Sequence, residues 1–286
     1  MPITSKFVCL NGQFIKEEEL CFSAENRAFR YADGFFETMH YANGEIQLFD
    51  LHLKRMKKAM DLLKLESSIL LNKKLIHNEI VHLINTNHFF KGARVRISIF
   101  RSGGGLYTPE ENSAAYLIEN WALDNSNYNI NKQGLSIGLY SELKKMPNND
   151  LFYKSLDARI SVLASLYKKK IETDDCFLCN SELEIIESIS SNAFFIKNNT
   201  LYTAGTDSGC VHGIMREKIL SVASKEGFQI VEDAHIKAEH IIQFDEIFLS
   251  NAIKGIQWVG AYKSKRFDNK LTKQLQKTLV SEIFNT

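Results

Sequence analysis

A lysine, a glutamate and a glycine-led helix start are the residues of this sequence whose types and spacing could do chemistry. Lys154, in LFYKSLDARISVLASLYKKK, stands between Tyr153 and the first turn of a predicted amphipathic helix, apart from Lys168, Lys169 and Lys170, which crowd the helix end where cations suit the dipole. The periodicity places Leu156, Ile160, Leu163 and Tyr167 on one face of that helix. A lysine desolvated at the mouth of a well-anchored element becomes a nucleophile toward carbonyl carbon, which is the chemistry of Schiff bases. Taken alone, a lysine near a helix start is also commonly a snorkelling surface residue. Glu187 lies in ELEIIESISSNAFFI, a segment otherwise dominated by apolar and small residues. A buried carboxylate needs a partner, and a protonated ring nitrogen, an arginine or a lysine would each serve.

Other stretches could hold an anion. In SGCVHGIMREKIL, small residues and Gly213 lead directly into a helix, so free backbone N–H groups and the positive dipole end make a phosphate cradle, a feature shared by any loop-to-helix junction. Arg55, in LHLKRMKK, offers a bidentate fork, or is one more solvated cation among Lys54, Lys57 and Lys58. Ser250 and Asn251 end a predicted strand in LSNAIKGIQWV with hydroxyl and amide donors. Arg30, Tyr31, Arg96 and Arg101 could meet a substrate carboxylate, because alternation in RVRISIF sends Arg94 and Arg96 to the same side of a strand; ion pairs with acidic surface are the other reading. Cys176 and Cys179 form a C-x-x-C with no second pair, in a chain whose five cysteines are scattered. Small buried thiols, without disulfide or metal, are therefore expected.

These residues need elements to position them. FVCLNGQFI and TMHYANGEIQLF read as hairpins turning at Asn11-Gly12 and Asn43-Gly44. LHLKRMKKAMDLLKL then puts Leu53, Met56, Met60 and Leu63 on one helical stripe with basic residues opposite, and LLNKKLIHNEIVHLINTN gives a second helix. GARVRISIF and SAAYLIENWAL read as strands. After the polar stretch DNSNYNINKQG come the strand LSIGLY, the Lys154 helix and the hairpin SNAFFIKNNTLYTA. GIMREKILSVASKEG is a helix ending on Gly227, FQIVED and EIFLSNA are strands, and LTKQLQKTLVSEIF is a final amphipathic helix. Hairpins mixed with helices predict α+β architecture, or a closed β-rich core, rather than a doubly wound sheet. The expected domains are 1–120, a small N-terminal α+β domain, and 135–286, a larger C-terminal domain carrying Lys154, joined by a linker over 121–134.

Composition sets the outer bounds. A chain of 286 residues that is 44% hydrophobic can bury a substantial core. Its 35 basic and 34 acidic residues leave a net charge of +1, so no broad field steers nucleic acid or acidic membrane toward it, and small molecules or protein partners are expected. The N-terminal stretch lacks the pattern of a signal peptide, and no apolar run approaches the roughly 18 residues of a membrane span, so a cytoplasmic protein is expected.

In their order along the chain, RYADGFFET, the His52 to Arg55 H-x-x-R, ARVRISIFRSGGG, the KSLD around Lys154, ExxxxN from Glu187 to Asn192, LYTAGTDSGCVHGIMRE and IFLSNAIKGIQWV resemble the class IV, or fold-type IV, pyridoxal-phosphate enzymes. These are the branched-chain and D-amino-acid aminotransferases and aminodeoxychorismate lyase. The resemblance implies a small N-terminal domain and a C-terminal domain with a barrel-like core, in a homodimer. It implies that Lys154 forms the Schiff base with pyridoxal 5'-phosphate and moves the substrate proton, and that Glu187 pairs with the pyridine nitrogen. It further implies that Arg55, the backbone at Gly213, Ile214 and Met215, and the turn at Ser250, Asn251 and Ala252 hold the phosphate, with Val211 on one ring face and Asn192 in the ExxxxN element. Arg159 stands where branched-chain aminotransferases carry a tyrosine, RSGGGLYTP lacks the histidine of the D-amino-acid enzymes, and Met215 replaces a threonine of many relatives. Arg159 therefore joins Arg30, Tyr31, Arg96 and Arg101 as a candidate for substrate contact. The expected activity is transfer of an amino group between a branched-chain-like α-amino acid and a 2-oxo acid. The alternatives are the lyase reaction that releases pyruvate and 4-aminobenzoate, and a catalytically silent cofactor-binding or interaction protein.

Overall fold

Two Asn-Gly pairs turn the chain where a two-residue hairpin needs positive φ at both central positions: Asn11 and Gly12 at 50° and 83°, Asn43 and Gly44 at 54° and 85°. In the computed structural model, which describes residues 6–67, 69–70, 72–147 and 153–284, these turns join β1 (Phe7–Leu10) to β2 (Gln13–Lys16) and, after the short α1 (Arg27–Tyr31), β3 (Gly34–Ala42) to β4 (Glu45–Ile46). With β5 (Ala93–Arg101) and β6 (Ala114–Ala122) they form an antiparallel sheet in the order β2-β1-β6-β5-β3-β4. The helices α2 (Phe49–Leu63) and α3 (Lys73–Thr86) pack on it.

The buried residues of α2 are Phe49, His52, Arg55, Met56, Ala59 and Met60. The sequence stripe is therefore rotated: Leu53 and Leu63 are only partly buried, and two basic residues turn inward. What makes that burial tolerable is an acid on the sheet, Glu37 of β3, described below.

The chain divides into two compact units, Met1–Asn127 with Tyr153–Asp157, and Tyr128–Phe152 with Ala158–Thr286. Tyr153–Asp157 thus belongs to the first unit, running beside β3: the Phe36 N–H donates to the Lys154 carbonyl at 2.9 Å, the Leu156 N–H donates to the Gly34 carbonyl at 3.2 Å, and Ser155 bridges to Phe35. Leu156 packs with Val8, Phe100, Ala115 and Leu117. A side chain at Gly34 would collide with the Ile99 carbonyl, which explains the glycine where β3 and β5 approach so closely.

The second unit is built from β7 (Leu135–Lys145), α4 (Arg159–Lys170), β8 (Asp175–Asn180), β9 (Ile185–Ser188), β10 (Asn192–Lys197), β11 (Thr200–Thr203), α5 (Ile214–Lys225), β12 (Gln229–Val231), β13 (Glu246–Asn251), β14 (Gly255–Tyr262), β15 (Lys265–Arg266) and α6 (Lys270–Phe284). The order β10-β13-β14-β7-β8-β9 returns to β10, closing a barrel of strands; β11 and β12 extend it beside β10, and β15 pairs β14. Ile137, Phe177, Cys179, Ile185, Ala193, Phe195, Ile247, Leu249 and Val259 belong to one continuous core cluster. The seam is the single register pair Asn192 with Glu187.

The α4 helix starts at Arg159, so Leu156 lies outside it, and the predicted four-residue face is corrected: Ile160, Ala164 and Tyr167 pack on Tyr140, Cys176 and Leu178, whereas Leu163 is 41% exposed. Residues 151–152 of the predicted helix entry lie outside the described residues. Cys176 and Cys179 belong to different clusters, as positions three apart on a strand must face opposite sides. Among the described residues, no helix is long and apolar enough to cross a membrane.

Candidate active site

The chemistry-bearing residues fall into two groups, one on each unit. In the second unit, cross-strand pairing aligns Glu187 of β9, Asn192 of β10 and Ser250 of β13 in one row. Their neighbours Ala193 and Leu249 belong to the core cluster, so the row faces the other side of the sheet. There the segment before α5 is strapped across it. The Val211 N–H donates to Glu187 Oε2 at 3.0 Å, and Asn192 Nδ2 donates to the Val211 carbonyl at 2.8 Å. A Cβ at Gly213 would collide with Asn192 Oδ1, so glycine is required for the strap to close down. Gly213 is the N-cap of α5 with no side-chain cap, and Ile214 and Met215 open the helix with their side chains buried. The first N–H groups of a helix have no intrahelical acceptor, and here no side chain supplies one at the cap.

Beside this strap, Asn251 folds its side chain back on its own turn, with Oδ1 accepting from the Ile253 and Lys254 N–H groups at 3.0 and 2.9 Å and Nδ2 donating to Ser191 Oγ at 2.9 Å. The Ala252 carbonyl accepts from Tyr128 Oη at 2.9 Å. Ser250 Oγ is buried with no hydrogen-bond partner among the described residues. Glu187 is 7% exposed, and its Oε1 lies 2.6 Å from Lys145 Nζ at the end of β7. Nothing local in the sequence marks Lys145 except its place at the end of an alternating strand. Arg159, at the first position of α4, is exposed.

In the first unit Lys154 is half-buried, with Nζ 5.0 Å from the centre of the Phe36 ring. The Arg96 guanidinium stands 3.8 Å from the same ring, donates to Ser98 Oγ at 3.0 Å and lies 3.9 Å from Glu119. Burial pulls the Arg96 pKa below its ordinary value, while Glu119 opposes the shift. Arg55 is fixed by Glu37, receiving its carboxylate in a fork: Nε to Oε1 at 2.7 Å and Nη2 to Oε2 at 2.6 Å. His52 Nδ1 is 2.7 Å from the same Oε2. Burial alone would raise the Glu37 carboxyl, but the Arg55 charge and the His52 and Arg55 hydrogen bonds outweigh it and hold it at about 2. Burial pushes His52 down, against the pull of Glu37. Glu37 was overlooked in the sequence, although a carboxylate inside the apolar strand GFFETMHYA was a signal.

The remaining candidates lie elsewhere in this unit. Arg101 is buried in a network with Asp33 Oδ2 at 3.0 Å, Asn112 Oδ1 at 2.7 Å and the Leu63 carbonyl at 2.7 Å, tying the end of α2 to β5. Arg27 shares Asp33 at 2.8 Å. Arg30 is exposed and donates to the Ala24 carbonyl at 2.9 Å. Tyr31 packs against Tyr107, ring centres 5.6 Å apart, with the Arg27 guanidinium 5.0 Å from its centre.

A six-stranded antiparallel sheet with two helices, a second unit closed into a barrel, and a glycine-led helix start strapped to a buried acid together define a chain of the fold-type IV architecture. It belongs to the amino-transferase class IV family, whose model matches residues 34–262. Curated relatives include the putative branched-chain-amino-acid aminotransferase of Methanocaldococcus jannaschii, 23% identical over 95% of this chain and 93% of that one. The aminodeoxychorismate lyase of Vibrio harveyi is 23% identical over 89% of this chain and 94% of its own length. Among solved structures, the branched-chain amino acid aminotransferase of Thermobaculum terrenum in its PLP-bound holo form superposes with a TM-score of 0.81 at 18% identity, covering 99% of this chain and 95% of that one. That likeness shows the fold.

Proposed function

We propose that the chain is a pyridoxal-phosphate-dependent aminotransferase, moving an amino group between a branched-chain-like α-amino acid and a 2-oxo acid. The observation that carries the reading is the row Glu187, Asn192 and Ser250 strapped to the start of α5. These residues fit the cofactor. Glu187 is a buried carboxylate suited to a protonated ring nitrogen, Ser250 Oγ is a buried hydroxyl with no partner among the described residues, and Gly213 leaves the first amides of α5 without a side-chain cap. When bound, pyridoxal phosphate supplies an electron sink for the charge left as a proton leaves the substrate's α-carbon.

The protein's own groups do the rest. Glu187 holds the ring nitrogen, while the amides of Ile214 and Met215, Ser250 and the Asn251-Ala252 turn hold the phosphate; the Arg55 fork is taken by Glu37. Asn192 keeps the Val211 strap in place. Lys154 would hold the cofactor through Nζ, and the same Nζ would take the α-proton and return it. Arg96, steadied over Phe36, meets the substrate carboxylate. The working form is proposed to be a homodimer, as the resemblance to the class IV enzymes implies.

The lyase reaction would begin from the same residues, so the test must read products. Single amino acids are added to the yellow holoenzyme while its spectrum is followed. Conversion to the pyridoxamine form with release of the matching oxo acid is expected. Pyruvate release from aminodeoxychorismate with the aldehyde form regained would replace this reading with the lyase, and a colourless protein that leaves no borohydride-trapped adduct on the Lys154 peptide would remove both.

A further inference from the structure

Both oxygens of Glu187 are engaged within its own unit. Oε2 accepts the Val211 amide at 3.0 Å, and Oε1 lies 2.6 Å from Lys145 Nζ, with the two side chains 9% and 20% exposed. Lys145 reaches this carboxylate from the end of β7, past an irregularity in the β7–β8 register that sets it opposite Asn180. A strand end is thus bent to deliver an ammonium to the acid that would hold the cofactor's ring nitrogen.

We infer that Lys145 is a positioning residue that competes with the ring nitrogen for Glu187. The inference rests on the cofactor reading above. A carboxylate oxygen has two lone pairs, so ammonium and ring can share Glu187, but the two cationic donors then repel each other at close range. Without cofactor, Lys145 neutralises an acid that would otherwise be buried and unpaired, which stabilises the empty protein. With cofactor, the same charge weakens the grip on the protonated ring. One side chain therefore acts with opposite sign on the empty and the loaded protein.

That sign reversal separates the inference from a merely structural ion pair, whose loss would weaken both states. The full-length empty protein, its Lys145→Met variant and its Lys145→Arg variant are titrated with pyridoxamine 5'-phosphate, which makes no imine with Lys154, following intrinsic fluorescence; the melting temperature of each empty protein is also recorded. Lys145→Met is expected to melt lower when empty yet to bind about tenfold tighter, a size in keeping with couplings between close charges. Lys145→Arg is expected to stay near the parent in both. An analogue with C–H in place of the ring nitrogen should bind parent and Lys145→Met alike. Unchanged or weaker pyridoxamine phosphate binding by Lys145→Met overturns the inference while leaving the cofactor reading intact. Failure of the parent to bind any of these ligands overturns the cofactor reading itself.

Discussion

At the scale of single residues, Lys154 is moored to β3 through the main chain, since the Lys154 carbonyl and the Leu156 amide bond to that strand. Lys154→Ala is therefore expected to fold normally and lose more than about a thousandfold in turnover, with circular dichroism checking the first and steady-state rates the second. Glu37 gives a pH signature. Its folded value, about 2, lies below the ordinary 4.5, so the stability it contributes is present above about pH 4.5 and is lost as pH falls toward 2. Glu37→Gln should flatten that acid limb in urea titrations and lower stability at neutral pH by about 3–5 kcal/mol, because Arg55 is left as a buried cation without its carboxylate. Lys154, Glu187 and Arg55 could be picked out as candidates from the sequence because each sits in a recognisable run. Glu37 and Lys145 were not, because their roles come from partners 18 and 42 residues away.

At the scale of elements, what was legible followed from local rules. Both Asn-Gly hairpins, the paired helices of the first unit and the closing helix α6 declare themselves by turn chemistry and period. The strands β9 and β14 escaped, the first because ELEIIESIS does not alternate cleanly and the second because Gly255 and Gly260 interrupt it. The start of α4 lies later than the pattern predicts because residues 154–156 pair with β3, a distant contact that overrides helical pattern. Long-range capping is a related case. The buried Glu246 of β13 accepts from the Leu271 and Thr272 N–H groups, both at 2.8 Å, at the head of α6, doing from afar what an N-cap side chain does locally. Glu246→Ala should lower stability by about 1–3 kcal/mol, read as a shift of the urea midpoint with unchanged slope.

At the scale of the whole molecule, each unit has its own sheet and its own apolar clusters, and the barrel seam is made by Glu187 and Asn192 themselves. Site and architecture are thus hard to vary separately in the second unit. The proposed dimer gives a direct measurement: sedimentation equilibrium should return a mass of about twice 32.7 kDa. A species of single mass at working concentration would remove the dimer from the functional reading.

The tether at residue 154, made through peptide groups, has a practical corollary. Trimming that side chain to a methyl group leaves the backbone fastened to β3 and vacates a slot as long as three methylenes and an amine. A small primary amine supplied in solution, such as ethylamine, could lodge there and take up the missing basic function. Partial recovery of α-proton exchange by the alanine variant, rising with the concentration of unprotonated amine, is the behaviour this arrangement implies.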